Sequence, residues 1–92
     1  MIVRIMGEGQ LALADSDLPG LNSLDEELLA EMENDDEDGF RRTLAALLDA
    51  VRALGRPLPD DSLDPSDLIL PAADATLEDV RRLLTDDGLI PG

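Results

Sequence analysis

The run DLPGLNSLDEELLAEMENDDEDGFRRTLAALLDAVRALG, residues 17–55, decides how this chain folds. Its first half places Leu18, Leu21, Leu24, Leu28, Leu29 and Met32 at steps of three and four, and its second half does the same with Phe40, Leu44, Leu47, Leu48, Val51 and Leu54. That spacing gathers each set on one stripe of a helix. Between the stripes lies Glu33-Asn34-Asp35-Asp36-Glu37-Asp38-Gly39, so the pattern predicts a helical hairpin with an acidic turn. Asp17 is placed to cap the first helix, with Pro19 tolerated in its first turn and Gly20 a weak point; Ser23-Leu24-Asp25-Glu26 offers an alternative, capping-box start. Asp35 or Asp36 caps the second helix. Gly55 is expected at its C′ position, and Pro57 and Pro59 forbid continuation.

Outward from the hairpin, residues 1–6 are apolar and β-branched with one interruption, and read as a strand. Gly7-Glu8-Gly9 supplies residues able to take positive φ, so residues 10–14 return as the second strand of a β-hairpin. Residues 56–67 form a Pro- and Asp-rich connection. Asp67-Leu68-Ile69-Leu70-Pro71 reads as a third strand, ended by proline. Thr76 starts a last helix with Asp79 at its N3 position and a stripe of Leu77, Val80, Leu83 and Leu84; Gly88 stops it before the apolar tail around Leu89 and Ile90. The expectation is one α+β domain over residues 1–92, in the order ββααβα. A small three-stranded sheet packs against a long helical hairpin and a short C-terminal helix. The first strand, being the most apolar, is expected in the centre, with the hairpin partner on one side and residues 68–70 on the other.

The chain has 92 residues, which implies a radius of gyration of roughly 12 Å. A domain of this size buries only about 60 % of its unfolded surface, so a homo-oligomer or a heterocomplex that adds to the core is expected. Twenty-two acidic residues against seven arginines give a net charge of −15. That sign argues against nucleic acid, whose binding draws on counterion release by basic residues, and against direct adsorption to an anionic leaflet. Cysteine is absent, which removes disulfides and fits a reducing cytoplasm. The apolar run at residues 1–6 is too short for a signal h-region, and no run approaches the length of a transmembrane helix.

Alternation in the first strand places Met1, Val3 and Ile5 on one face and Ile2, Arg4 and Met6 on the other. If the helices cover the first face, the second keeps an apolar stripe with one charge, the kind of patch that marks a partner surface. Ile2, Arg4 and Met6 are therefore the partner-binding candidates. The competing expectation is that Leu89 and Ile90 cover this face and Arg4 snorkels to its edge.

The stretches Met1-Ile2-Val3-Arg4-Ile5-Met6-Gly7-Glu8-Gly9-Gln10, Leu21-Asn22-Ser23-Leu24-Asp25, Ser66-Asp67-Leu68-Ile69-Leu70-Pro71 and Asp87-Gly88-Leu89-Ile90-Pro91-Gly92 together resemble the PspA-associated protein family, PspAA. The linking Asp74-Ala75-Thr76-Leu77-Glu78-Asp79-Val80 fits the same pattern, so the likeness runs nearly end to end. The resemblance implies a small cytoplasmic protein associated with the phage-shock protein PspA, a coiled-coil, ESCRT-III-like partner that binds the inner membrane leaflet under envelope stress. Recruitment to the membrane would then run through that partner. The family contributes no catalytic or cofactor residues. An interaction role in the envelope stress response follows, modulating PspA assembly or its partner choice. A different class of function, an acidic regulatory subunit or mimic binding a basic surface of an enzyme or transcription factor, is the alternative suggested by the charge.

Catalysis is not expected. His, Cys, Lys, Tyr and Trp are all missing, which removes imidazole and phenol acids, thiol nucleophiles and Schiff-base chemistry, and no cofactor is expected either. The paired carboxylates at Asp25/Glu26/Glu27, Asp60/Asp61 and Asp86/Asp87 read as caps and solvated surface, and the arginine pairs as partners for some of those carboxylates. One motif resembles a metal site: Asn34-Asp35-Asp36-Glu37-Asp38-Gly39 puts oxygen ligands at positions 1, 3 and 5 and glycine at 6, as an EF-hand loop does. The match then fails, because position 12, which needs a bidentate glutamate, is Ala45, and position 9 is Arg42. Metal ligands are accordingly set at none. Calcium titration followed by calorimetry should show no saturable binding tighter than about 100 μM, which spans the sensor range.

Overall fold

The computed structural model describes residues 1–59 and 65–83. Strands β1 (Ile2–Ile5) and β2 (Gly9–Ala12) form an antiparallel hairpin in the register Ile2↔Ala12 to Ile5↔Gly9. Its turn closes with the Glu8 N–H donating to the Ile5 carbonyl at 2.9 Å, and Gly7, third of the four residues, has a φ of 84°. That backbone is the type II pattern, which only glycine adopts there without strain.

A 3₁₀ turn, Asp15–Asp17, leads into helix α1 (Leu18–Glu33). Asp17 stands at the N-cap as expected, but its side chain makes no cap hydrogen bond; Ser23 lies inside the helix, its Oγ donating to the Pro19 carbonyl at 3.3 Å, so the alternative start is unused. Helix α2 (Glu37–Leu54) follows after three residues. Those three do a great deal of capping. Asp35 takes a φ of 53°, its N–H donates to Met32 O at 3.2 Å, and the Asp36 N–H donates to Glu31 O at 2.9 Å, which together make a Schellman motif with aspartate in the usual glycine position. Asp36 then caps α2, its Oδ1 accepting from the Gly39 N–H at 3.1 Å. Across the hairpin, Thr43 Oγ1 donates to Glu31 Oε1.

The sheet has four strands rather than three. After α2 the chain forms β3 (Arg56–Pro57), which pairs antiparallel with β2, and β4 (Leu68–Leu70) pairs parallel with β1, in the order β3-β2-β1-β4. The element order is thus ββααββα, ending in helix α3 (Leu77–Leu83), and not the expected ββααβα. The added strand has a physical origin in Gly55. This residue is not left-handed, as a C′ glycine would be, but extended, with φ −81° and ψ 156°. A Cβ here would stand 2.7 Å from the Val51 carbonyl oxygen and 3.0 Å from Leu11 Cβ. The end of α2 therefore rests directly on β2, and the emerging chain has nowhere to run but along the free edge of that strand, where Leu58 N–H reaches Gln10 O at 3.0 Å. Pro57 lacks a donor, which an edge strand tolerates. The first strand is central, as its apolar content predicts.

Val3, Ile5, Leu11, Leu68 and Leu70 turn inward from one face of the sheet and join Leu21, Leu28 and Met32 of α1, Phe40, Leu44, Leu47, Leu48 and Val51 of α2, and Leu77 and Val80 of α3 in a single core. Burying each such side chain contributes about 1.5–3 kcal/mol. Asp25 departs from the expected solvated surface: it is 3 % exposed, on the inward stripe of α1 between Leu21 and Leu28. Helix α3 begins with the expected reciprocal cap, Thr76 N–H donating to Asp79 Oδ2 and Asp79 N–H to Thr76 Oγ1, both at 3.1 Å. Leu84, Gly88, the tail at Leu89 and Ile90, and the pairs Asp60/Asp61 and Asp86/Asp87 lie outside the described residues.

Three glycine-to-alanine substitutions should separate these roles in urea unfolding. At Gly20, exposed and with open space beside it, alanine should stabilise α1 by up to about 1 kcal/mol. At Gly39 the new methyl meets the Glu31 and Asp36 carboxylates, which move at a cost of about 1 kcal/mol. At Gly55 it meets backbone, and the loss should be the largest of the three, about 2–3 kcal/mol. Acid should also weaken the fold. The Asp79 carboxyl is held below its usual range by the Thr76 N–H, and the Glu8 carboxyl by its hydrogen bonds to Arg52. Both depressed values stabilise the folded state above the unfolded pKa, near 4, and that stability is lost as pH falls through the folded values. The double variant Glu8→Gln, Asp79→Asn should show a shallower loss of stability below about pH 4.

Candidate interaction face

The helices cover one side of the sheet, so the other side is where the strands present outward side chains. In β1, Val3 and Ile5 are fully buried, while Arg4 between them is exposed. Ile2 is half-buried. Met6 falls just beyond the strand, in the hairpin turn, held there by its N–H donating to Leu70 O at 3.0 Å, and its side chain is 48 % exposed. The same alternation recurs in β4. Leu68 and Leu70 point into the core and Ile69, the Cα partner of Arg4, is 49 % exposed. Ile69 is the residue missing from the sequence-based candidates, and the buried-exposed-buried order of residues 68–70 is the signal that places it.

The remainder of the face is partly occupied by the chain itself. On the far side of Arg4 its partner in β2 is Gln10, whose Nε2 donates to Ser66 Oγ at 2.8 Å, so the segment entering β4 reaches across to β2. Asp67 is fastened to Ile2 twice: its N–H donates to Ile2 O at 2.8 Å, and its Oδ2 accepts from the Ile2 N–H at 2.8 Å. The accessible part of the face is therefore the half around Arg4, Met6 and Ile69, with Ile2 at its margin.

Two other arginines are engaged. Arg52 donates from Nε to Glu8 Oε1 at 2.8 Å, from Nη2 to Glu8 Oε2 at 2.5 Å and from Nη1 to Asp49 at 2.8 Å, and these bonds raise its pKa further. Arg81 donates to Met32 O and Asp35, each at 3.0 Å, and to Glu78 at 3.0 Å, so α3 supplies a cation to the carbonyl end of α1. Arg4 makes no ion pair among the described residues. Glu8 and Arg52, with Gly9, Gln10, Leu11, Pro57 and Leu58, line a cleft of about 320 Å³ beside β3. Its guanidinium is spent on Glu8 and Asp49, which leaves little to hold an anion.

The acidic turn is arranged for capping rather than ligation. Glu37 and everything after it in the sequence match to an EF-hand loop is α-helix, Asp36 holds the Gly39 N–H, and Asp35 faces Arg81. Among the described residues no three acidic side chains converge as metal ligands would, and no helix is long and apolar enough to cross a membrane.

No curated protein and no solved structure matches the chain. A family model described as PspA-Associated protein matches residues 1–92. The whole chain is covered, and it belongs to the PspAA family.

Proposed function

We propose that this chain is a non-enzymatic interaction module that associates with a PspA-type, ESCRT-III-like membrane-stress protein and modulates its assembly or partner choice. The observation that carries the reading is membership of a PspA-associated family over the full chain. The side-chain chemistry supports it: neither imidazole, thiol, phenol nor amine is present to work on a substrate, and the described ionic groups with resolved pKa shifts are tied to structural partners. The acidic chain reaches a membrane through its partner, because a net charge of −15 opposes contact with anionic lipid. The second reading, an acidic regulatory subunit on a basic enzyme or transcription factor, draws on that same charge.

Salt separates the two. The PspA-type protein of the same genome should co-purify with the tagged chain, and the complex should survive a rise from about 50 to about 300 mM salt, where the Debye length falls below about 10 Å. Complete loss over that range favours the acidic-mimic reading. Adding the chain should also change the size of PspA assemblies in sedimentation; unchanged assemblies in a preparation that binds would restrict its role to partner choice.

A further inference from the structure

We propose that Arg4, Met6 and Ile69 form the seat for an acidic, amphipathic segment of the partner, apolar side chains resting on Met6 and Ile69 while a carboxylate meets the Arg4 guanidinium. This inference rests on the interaction reading above and assigns it a place and a chemistry. Ile69 is directly across from Arg4, a separation of about 5 Å between Cβ atoms, and Met6 follows two residues after Arg4, in the hairpin turn. Two large apolar side chains, each about half exposed, thus flank one cation.

Charge selects the occupant. In a chain with 22 acidic residues and seven basic ones, Arg4 still makes no ion pair among the described residues. Glu8, in the adjoining turn, is bound by Arg52, and Asp67, in line with Ile69 just before β4, is held by the Ile2 N–H. A wholly apolar partner would bury the guanidinium unpaired, which is strongly unfavourable. A basic partner would set like charges together at Arg4. An acidic amphipathic segment satisfies both the apolar pair and the cation.

The test measures binding of the purified full chain to the PspA-type protein of the same genome, alongside thermal melting of each variant alone. Arg4→Glu and Ile69→Asp should each weaken binding at least about tenfold, while Ala45→Asp, on the exposed side of α2, should stay within about twofold. If the wild type binds and both patch variants bind equally well, the seat is wrong and the interaction reading stands. If the wild type does not bind, that reading falls and this one with it. Tighter binding by Arg4→Glu would point to a basic contact and overturn the proposal. So would a melting point for Ile69→Asp more than about 5 °C below wild type, since the patch would then be packed against this chain itself.

Discussion

Reversal of the chain between α1 and α2 is the constraint on which the other elements depend. Two helices of 16 and 18 residues must turn through three residues and still present both apolar stripes to the same sheet. Asn34, Asp35 and Asp36 manage this because several backbone groups left open at the end of one helix and the start of the next find partners among them. The Asp35 and Asp36 N–H groups return to the carbonyls of α1, and the Asp36 carboxylate receives the Gly39 N–H in the first turn of α2. Asp35 accepts a left-handed backbone that glycine would take more easily, and what it offers in exchange is a carboxylate for Arg81. Through that contact the turn also receives α3, the last element of the described chain.

Charge is distributed with the same economy. Ion pairs at half-exposed positions contribute about 0–1 kcal/mol apiece, so their value here is in fixing geometry more than in holding the fold together. Arg52 ties α2 to the β-hairpin turn, and Arg81 ties α3 to the end of α1. Stability itself comes from the single apolar core, whose only aromatic residue is Phe40. Arg4, like Arg41, Arg42 and Arg56, takes no part in these pairs. It sits between two fully buried neighbours on the central strand, faces away from the helices, and stands between Ile69 of β4 and Gln10 of β2.

Among the described residues every charged side chain except that of Asp25 lies at least partly at the surface. The fold divides that surface unevenly. The helical side is crowded with charge, from Glu26 and Glu27 through the acidic turn to Arg41 and Arg42, all exposed. The opposite side of the sheet is smaller, more apolar, and partly taken by the segment that carries Ser66 and Asp67 into β4. Association with a protein partner uses the second kind of surface more readily than the first, because apolar contact survives the salt that screens exposed charge.

By itself, the sequence determined the two long helices, the cap at Thr76 and Asp79, the β-hairpin and the central place of β1, since each of these rests on local periodicity or on side chains close in the chain. Family membership was legible for a similar reason, in short contiguous stretches such as residues 66–71. Tertiary structure alone decided the rest. Arg56 and Pro57 read as loop, and they become a strand only because Gly55 lets α2 settle against Leu11 and steers the chain along β2. Asp25 reads as surface beside Glu26 and Glu27, yet its stripe position carries it inside with Leu21 and Leu28. Ile69 looks like one more core residue between two leucines, and only the pairing of β4 with β1 turns it outward beside Arg4, because a strand can bury no more than alternate side chains against a core on one side.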